Sequence, residues 1–317
     1  MAAQLVLASS PHLHGKDSTR SIMRDVVIAM IPTLIASAVL FGWRALAVVA
    51  VCVASALASE YLSRLVSKRP YSLGDFSAIV TGMLLGFNLP VSVPLWQAAF
   101  GSVVAIVVVK QMFGGIGCNF VNPALMGRIV LLVSFPTTMS SWSATTFAPD
   151  AVSSATPLAS MAAGGEMSYS LLDLFLGNHA GSLGETCVVA LLLGLLYLLI
   201  RRVITLVIPT VFVGSVFLLS WLITGSAEIG LYQILSGGVM LGAIFMATDY
   251  TTSPVTRGGH LLFGLGCGVL TVLIRQYGAL PEGVSFAIVI MNILTPLLDR
   301  LTMPRVLGAM RQKARAK

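Results

Sequence analysis

Between residues 25 and 299 the chain is a succession of apolar runs separated by polar gaps, and most of its charges lie in the gaps. No other feature of the sequence limits the fold as strongly. A helix needs about 20 apolar residues to cross a bilayer. Within lipid the backbone must satisfy its own hydrogen bonds, which leaves helices or closed barrels. The runs here have no period-two alternation, so helices are expected. The whole chain of 317 residues is 56% hydrophobic and only 10% charged, against about 25% charged in an ordinary soluble domain. The fold class that follows is an all-α polytopic membrane protein.

Ten runs can be read as spans: 25–41, 45–63, 76–89, 95–112, a fifth ending at 135, then 184–200, 205–224, 231–247, 261–274 and 284–298. They divide the chain into an N-terminal arm (1–24), a first group of five spans (25–135), a long polar interval (136–183), a second group of five (184–299) and a basic tail (300–317). The first 20 residues hold no apolar core of signal-peptide length, so the first span itself is expected to direct insertion. Ser170 to Leu176 is apolar but too short to cross, and reads as an interfacial or re-entrant piece.

With both ends of the chain on the cytoplasmic side, 16 of the 19 Lys and Arg residues fall on that side. Basic residues favour cytoplasmic loops, so this orientation is expected. It places the interval 136–183 outside the cell. The net charge of +7 is therefore a topological signal and points to no nucleic-acid partner. Arg44 and Arg275 fall outside. Arg128 lies within the fifth run, where snorkelling towards the interface is expected ahead of pairing with an acid or a flavin. Lys110 and Arg275 are expected to anchor helix ends, and Glu60 and Asp75 to be rim residues.

The two groups of spans resemble each other. Gly82 to Pro94 parallels Gly242 to Pro254, and Val108-Val109-Lys110-Gln111 parallels Leu273-Ile274-Arg275-Gln276. In each group an Asn and a Pro follow, Asn122-Pro123 in the first and Asn292 with Pro296 in the second. Five spans per group make the halves an inverted five-plus-five repeat. Such repeats place sites near the midplane at broken helices. The breaks here are Asn88 to Pro94, which carries two prolines, and Thr248 to Pro254. Asp249, in the second break, is an acid at or near membrane depth and so a functional candidate; in the headgroup region it would be a solvated loop acid. The four cysteines (Cys52, Cys118, Cys187, Cys267) and four histidines (His12, His14, His179, His260) have neither disulfide nor metal spacing.

Thr156 stands out in the long interval, within Asp150-Ala151-Val152-Ser153-Ser154-Ala155-Thr156. A threonine hydroxyl is a poor nucleophile without an activating base, and no histidine follows it before His179. It is better suited to accept a modification. From the residues alone, a solvated Ser/Thr loop is the competing reading.

The whole chain resembles the RnfD proteins of the Rnf electron-transport complexes, relatives of NqrB in the sodium-pumping NADH:quinone oxidoreductase. The resemblance is carried by Ser9-Ser10-Pro11-His12, Ser18-Thr19-Arg20, Gly86-Phe87-Asn88-Leu89-Pro90, Phe120-Val121-Asn122-Pro123-Ala124, Gly181-Ser182-Leu183-Gly184-Glu185-Thr186 and Thr248-Asp249-Tyr250-Thr251-Thr252-Ser253-Pro254. In that family a flavin transferase joins FMN through its phosphate to the last threonine of Asp-x-x-(Ser/Thr)-(Ser/Gly)-Ala-Thr. The resemblance thus implies FMN on Thr156, with Asp150, Ser153, Ser154 and Ala155 as recognition context. Gly181 and Ser182, read as the opening of the sixth helix, are candidates to receive the phosphate on free backbone N–H groups. The resemblance further implies a noncovalent riboflavin or an ion path near Asp249. It implies a prokaryotic inner membrane as the location, and Rnf subunits A, B, C, E and G as partners. In such a complex, electrons pass from a flavin subunit outside to this FMN and back across the membrane. Their passage is coupled to Na⁺ or H⁺ movement, and the complex acts as a ferredoxin:NAD⁺ oxidoreductase. The chain has no NAD motif or iron–sulfur cysteines, so partners must supply those. Two other classes fit an inverted helical bundle: a passive small-solute channel or transporter, and a structural anchor for redox partners.

Overall fold

The computed structural model describes residues 18–69, 72–143, 145, 156–162, 169–278 and 282–304. Within them every regular element is helical. Asp150, Ser153, Ser154 and Ala155, the Ser9 to His12 motif and the tail from residue 305 lie outside the described residues.

Helix α1 (Thr19–Phe41) opens on a capping box, in which Ser18 Oγ accepts from Ser21 N–H and Ser21 Oγ accepts from Ser18 N–H. Gly42, at φ 76°, turns the chain directly into α2 (Trp43–Val66). Helix α3 (Ser77–Phe87) is half as long. It ends where Pro90 pushes the preceding residue out of helical geometry. The chain resumes after Pro94 as α4 (Leu95–Val103), which continues as a π-helix over Val104–Gln111. Helix α5 (Pro123–Ser134) is capped by Asn122, whose Oδ1 accepts from the Ala124 and Leu125 N–H groups.

Three short helices follow: α6 (Pro136–Met139), α7 (Pro157–Ala162) and α8 (Leu171–Leu176). On α8, Leu174 is buried while Leu172 and Leu176 are exposed. Helices α9 (Val188–Ile200) and α10 (Val207–Thr224) come next. The eighth apolar run is not one straight span. It consists of α11 (Ala227–Leu235) and α12 (Val239–Leu241), the latter continuing as a π-turn over Gly242–Met246, with a bend of 66° between them. Ser236, Gly237 and Gly238 sit at the bend, and Gly237 has φ 67°. Helices α13 (Arg257–Tyr277) and α14 (Val284–Thr302) complete the bundle.

Five helices (α1, α2, α10, α13, α14) are long and apolar enough to cross a membrane, and the bent pair gives a sixth. Helix α3, the α4 segment as a whole, α5 and α9 are shorter apolar helices. The exterior is apolar: Ile35, Val39, Leu193, Leu222 and Leu297 all present more than half of their surface outward. Such faces suit lipid, and a multi-pass membrane protein follows from them. The interior holds Phe87, Leu89, Phe212 and Phe263 fully buried.

Helix α2 packs against α3 and α4, as α10 packs against α11 and α13. Helix α1 lies along α9, and α5 meets α14. The α1–α9 contact is close because Gly194 has no side chain: a Cβ there would stand 2.5 Å from the Ala29 carbonyl oxygen. Small residues at helix crossings are the usual route to tight packing in membranes.

Candidate functional site

Two polar regions lie at opposite ends of the bundle. The first opens near the start of α1. It is a half-open cavity of about 100 Å³ between α1, α3, α5, α9 and the segment after the π-turn. Val26, Leu84, Leu198 and Phe245 supply apolar walls, and Ser77, Lys110, Asn119, Asn122, Thr248 and Asp249 supply polar ones. The structure thus puts Asp249 on a cavity wall. Its Oδ2 accepts from Thr251 Oγ1 at 2.9 Å and Thr252 Oγ1 at 3.2 Å. Asn122 reaches across the halves, donating from Nδ2 to the Met246 carbonyl at 3.3 Å. Asn292 accepts from Asn122 N–H and donates to the Thr252 carbonyl when its amide is oriented by its neighbours.

Lys110 closes one side of this cavity, and here the expected rim residues are found inside. Lys110 is 3% exposed and Glu60 is fully buried. Lys110 Nζ donates to Glu60 Oε2 at 2.8 Å and to Ser77 Oγ at 2.6 Å. Ser72 Oγ donates to Glu60 Oε1, and Ser77 Oγ to Asp75 Oδ1. Asp75, half-buried, therefore supports the start of α3 and the lysine site. Lys110 does not anchor a helix end in the interface, because a buried carboxylate holds it in place.

The second region surrounds Thr156. Its side chain is 4% exposed, and Oγ1 accepts from Ala159 N–H at 3.1 Å, capping α7. Two residues on, Leu158 packs on the α11–α12 bend, where a Cβ on Gly237 would stand 2.6 Å from Leu158 Cδ1. Arg275 lies on the same bend. Its guanidinium donates to the Gln233 carbonyl at 2.6 Å and the Ser236 carbonyl at 3.2 Å, capping the broken end of α11. That is a buried role, not the interfacial one expected of Arg275.

Gly181 to Thr186 does not open a helix, since α9 starts only at Val188. The turn docks on the broken end of α3. Leu183 N–H donates to the Leu89 carbonyl at 3.1 Å and Gly184 N–H to the Phe87 carbonyl at 2.8 Å. These bonds serve carbonyls that the break had left without helical partners. Gly184 is required for the approach, because a Cβ there would stand 2.4 Å from Phe87 Cβ. The N–H groups of Leu183, Gly184 and Glu185 are all engaged, which leaves those of Gly181, Ser182 and Thr186 as the ones in the motif with no backbone partner among the described residues.

Several buried polar atoms near this turn have no hydrogen-bond partner among the described residues: His179 Nδ1, Ser182 Oγ, Thr186 Oγ1, Tyr232 OH and both Glu185 oxygens. Tyr169 packs edge-on against His179 at 6.1 Å between ring centres. Burial holds the His179 imidazole down at about 4, with Asp173 acting in the opposite direction.

Arg128 does not snorkel. It is 6% exposed and reaches across the halves. It pairs with Glu282 in a close hydrogen-bonded contact and donates to Ser285 Oγ at 2.8 Å and Asn88 Oδ1 at 3.2 Å. Glu185 lies 3.4 Å away on its other side. Glu282 has no motif around it, and only the fold brings it to Arg128.

The sequence matches the model of the NQR2, RnfD, RnfE family over residues 6–308. It is 46% identical to the D subunit of the Na⁺-translocating ferredoxin:NAD⁺ oxidoreductase complex of Acetobacterium woodii, over 99% of this chain and 98% of that one. It is 39% identical to the D subunit of the proton-translocating ferredoxin:NAD⁺ oxidoreductase complex of Clostridium ljungdahlii, over 96% of both. A third relative, the D subunit of the ion-translocating oxidoreductase complex of Stutzerimonas stutzeri, is 38% identical over 92% of this chain and 93% of its own.

Proposed function

The chain belongs to the NQR2, RnfD, RnfE family, and from that membership we propose that it is the membrane flavoprotein subunit of an ion-translocating ferredoxin:NAD⁺ oxidoreductase complex, with FMN held as a phosphoester on Thr156. The observation that carries the attachment is the setting of Thr156. It caps a short helix seated on the α11–α12 bend, beside buried polar atoms that lack protein partners among the described residues. Unpaired buried donors and acceptors are costly, and a polar ring system with a ribityl phosphate supplies what they lack. His179, Ser182, Thr186 and Tyr232 would hold the bound group, and an ester at Oγ1 leaves an oxygen to accept from Ala159 N–H. Thr156 is 4% exposed, so the transferase must act while α7 is undocked.

When bound, the flavin supplies electron transfer in one- or two-electron steps. The protein's part is to fix it against the bend, exclude water and set its surroundings through Arg275 and the nearby unpaired groups. The cavity at the opposite end has apolar walls and a polar rim of Asn119, Asn122, Asp249 and Lys110. That lining suits a flat, neutral heterocycle, and a noncovalent riboflavin is assigned there, with an ion path as the alternative use of Asp249. Ten spans in an inverted repeat are supported by the matched packing of α2 on α3 and α4 with that of α10 on α11 and α13. The clustering of Arg20, Arg24, Arg64, Lys68, Arg201 and Arg202 at the end opposite Thr156 supports a cytoplasmic location for both termini. The membrane is the prokaryotic inner membrane. Rnf subunits A, B, C, E and G supply the remaining centres, and Na⁺ or H⁺ is the ion moved.

The test is in-gel flavin fluorescence after full denaturation of chain made in a host with the transferase. Fluorescence that co-migrates with the chain and is lost in Thr156→Val, with the fold retained, is expected. A non-fluorescent wild-type chain overturns the reading.

A further inference from the structure

Four buried or nearly buried charges meet between the two broken helices. Arg128 comes from α5, Arg275 from α13, Glu282 from just before α14 and Glu185 from the turn before α9. Their pairing is uneven. Arg128 is hydrogen-bonded to Glu282, Ser285 and Asn88. Arg275 directs both terminal nitrogens to carbonyls of the α11 end. Glu185, 2% exposed, has only the 3.4 Å ion contact to Arg128, and neither of its oxygens has a hydrogen-bond partner among the described residues. In its own turn the Ser182 hydroxyl faces the carboxyl without completing a well-formed hydrogen bond, and Thr186 Oγ1 is buried with no partner among the described residues. From the bend, Glu185 feels the charge of Arg275, whose guanidinium spends its hydrogen bonds on the carbonyls of the α11 end and gives the carboxylate none. Gly238 lies against it so closely that a Cβ there would stand 2.7 Å from Oε1. The end of α3 presents Asn88, which is uncharged, and His179 in the same segment is neutral.

An ionised carboxylate needs several donors when buried, whereas a carboxylic acid needs far less. Among the described residues the one cation in contact with Glu185 is already matched by Glu282. We propose that Glu185 is a proton-binding site, a carboxyl kept as the acid in the described arrangement. On losing its proton it draws Arg128 away from Glu282 and Asn88. Protonation forms one O–H bond on a Glu185 oxygen with a proton from water, and no electron moves. The site is placed to report to both halves, since its carboxyl rests on Gly238 at one break and its partner Arg128 bonds Asn88 at the other.

The experiment is infrared titration of the purified full-length chain carrying Thr156→Val, so that a failure here is separate from any failure of the flavin reading. A protonated carboxyl band is expected that shifts on H/D exchange and disappears as pH rises. It should persist in Glu282→Gln and vanish in Glu185→Gln. In Glu185→Asp the band should remain with a displaced midpoint, which keeps the test open if the Gln variant does not fold. Absence of any titrating carboxyl band overturns the proposal, as does a band unchanged in both Glu185 variants.

Discussion

Lys110→Met isolates a carboxylate. Glu60 is fully buried, and Lys110 Nζ at 2.8 Å is its ion-pair partner. With that partner removed, Ser72 Oγ remains as a single hydroxyl donor. Breaking a buried pair from one side costs about 3–5 kcal/mol, whereas exposed pairs give roughly 0.2–1 kcal/mol. Replacing both partners is a different matter, because it removes the uncompensated charge. In Lys110→Met with Glu60→Gln, Ser72 still donates to the amide oxygen and Ser77 still donates to Asp75. The double variant should therefore be more stable than Lys110→Met alone, with a coupling on the order of 2 kcal/mol or more. The measurement is reversible unfolding in mixed detergent micelles, followed by tryptophan fluorescence, for wild type, both single variants and the double. A Lys110→Met variant within about 1 kcal/mol of wild type, or single effects that simply add, would refute the reasoning. Either outcome would return the pair to the solvated rim.

Two other perturbations probe the region around Thr156. Gly184→Ala should lift the turn from α3, since the new methyl meets Phe87; hydrogen exchange at the Leu183 and Gly184 amides should accelerate at least tenfold, and unchanged protection would count against the docking. His179 has its proton affinity lowered by burial, to about 4. The undocked segment then binds more protons than the docked one, so docking is strongest above about 6.5 and weakens as pH falls towards 4. The full difference is about 3 kcal/mol. Limited proteolysis of the 169–187 segment should rise across that window in wild type and stay flat in His179→Gln; equal profiles would exclude His179 as the cause.

The helical class and the two proline- and threonine-rich breaks were legible because apolar runs and helix breakers act locally. The bend at Ser236-Gly237-Gly238 had a signal, the paired glycines, which the continuous hydrophobicity from residue 231 to 247 obscured. The charge assignments failed for another reason. Lys110, Arg128, Arg275 and Glu60 were read as interfacial because a lone charge in an apolar run is cheapest near water. Each is instead matched inside, and its partners lie as far as 157 residues away in the chain, as for Arg128 and Ser285. No local pattern records such a pairing. Thr156 was singled out by motif, but its burial and its capping of α7 came only from the fold.

The docking of Leu183 and Gly184 on Phe87 and Leu89 also bears on how the chain is made. The end of α3 is completed by a segment that follows it by nearly a hundred residues. At about 5–20 residues per second, the ribosome delivers that segment on the order of ten seconds after the break has emerged. During that interval the helices made first stand with two carbonyls unserved at the broken end of α3. The first half is therefore an assembly intermediate, vulnerable to quality-control proteases until the turn before α9 arrives.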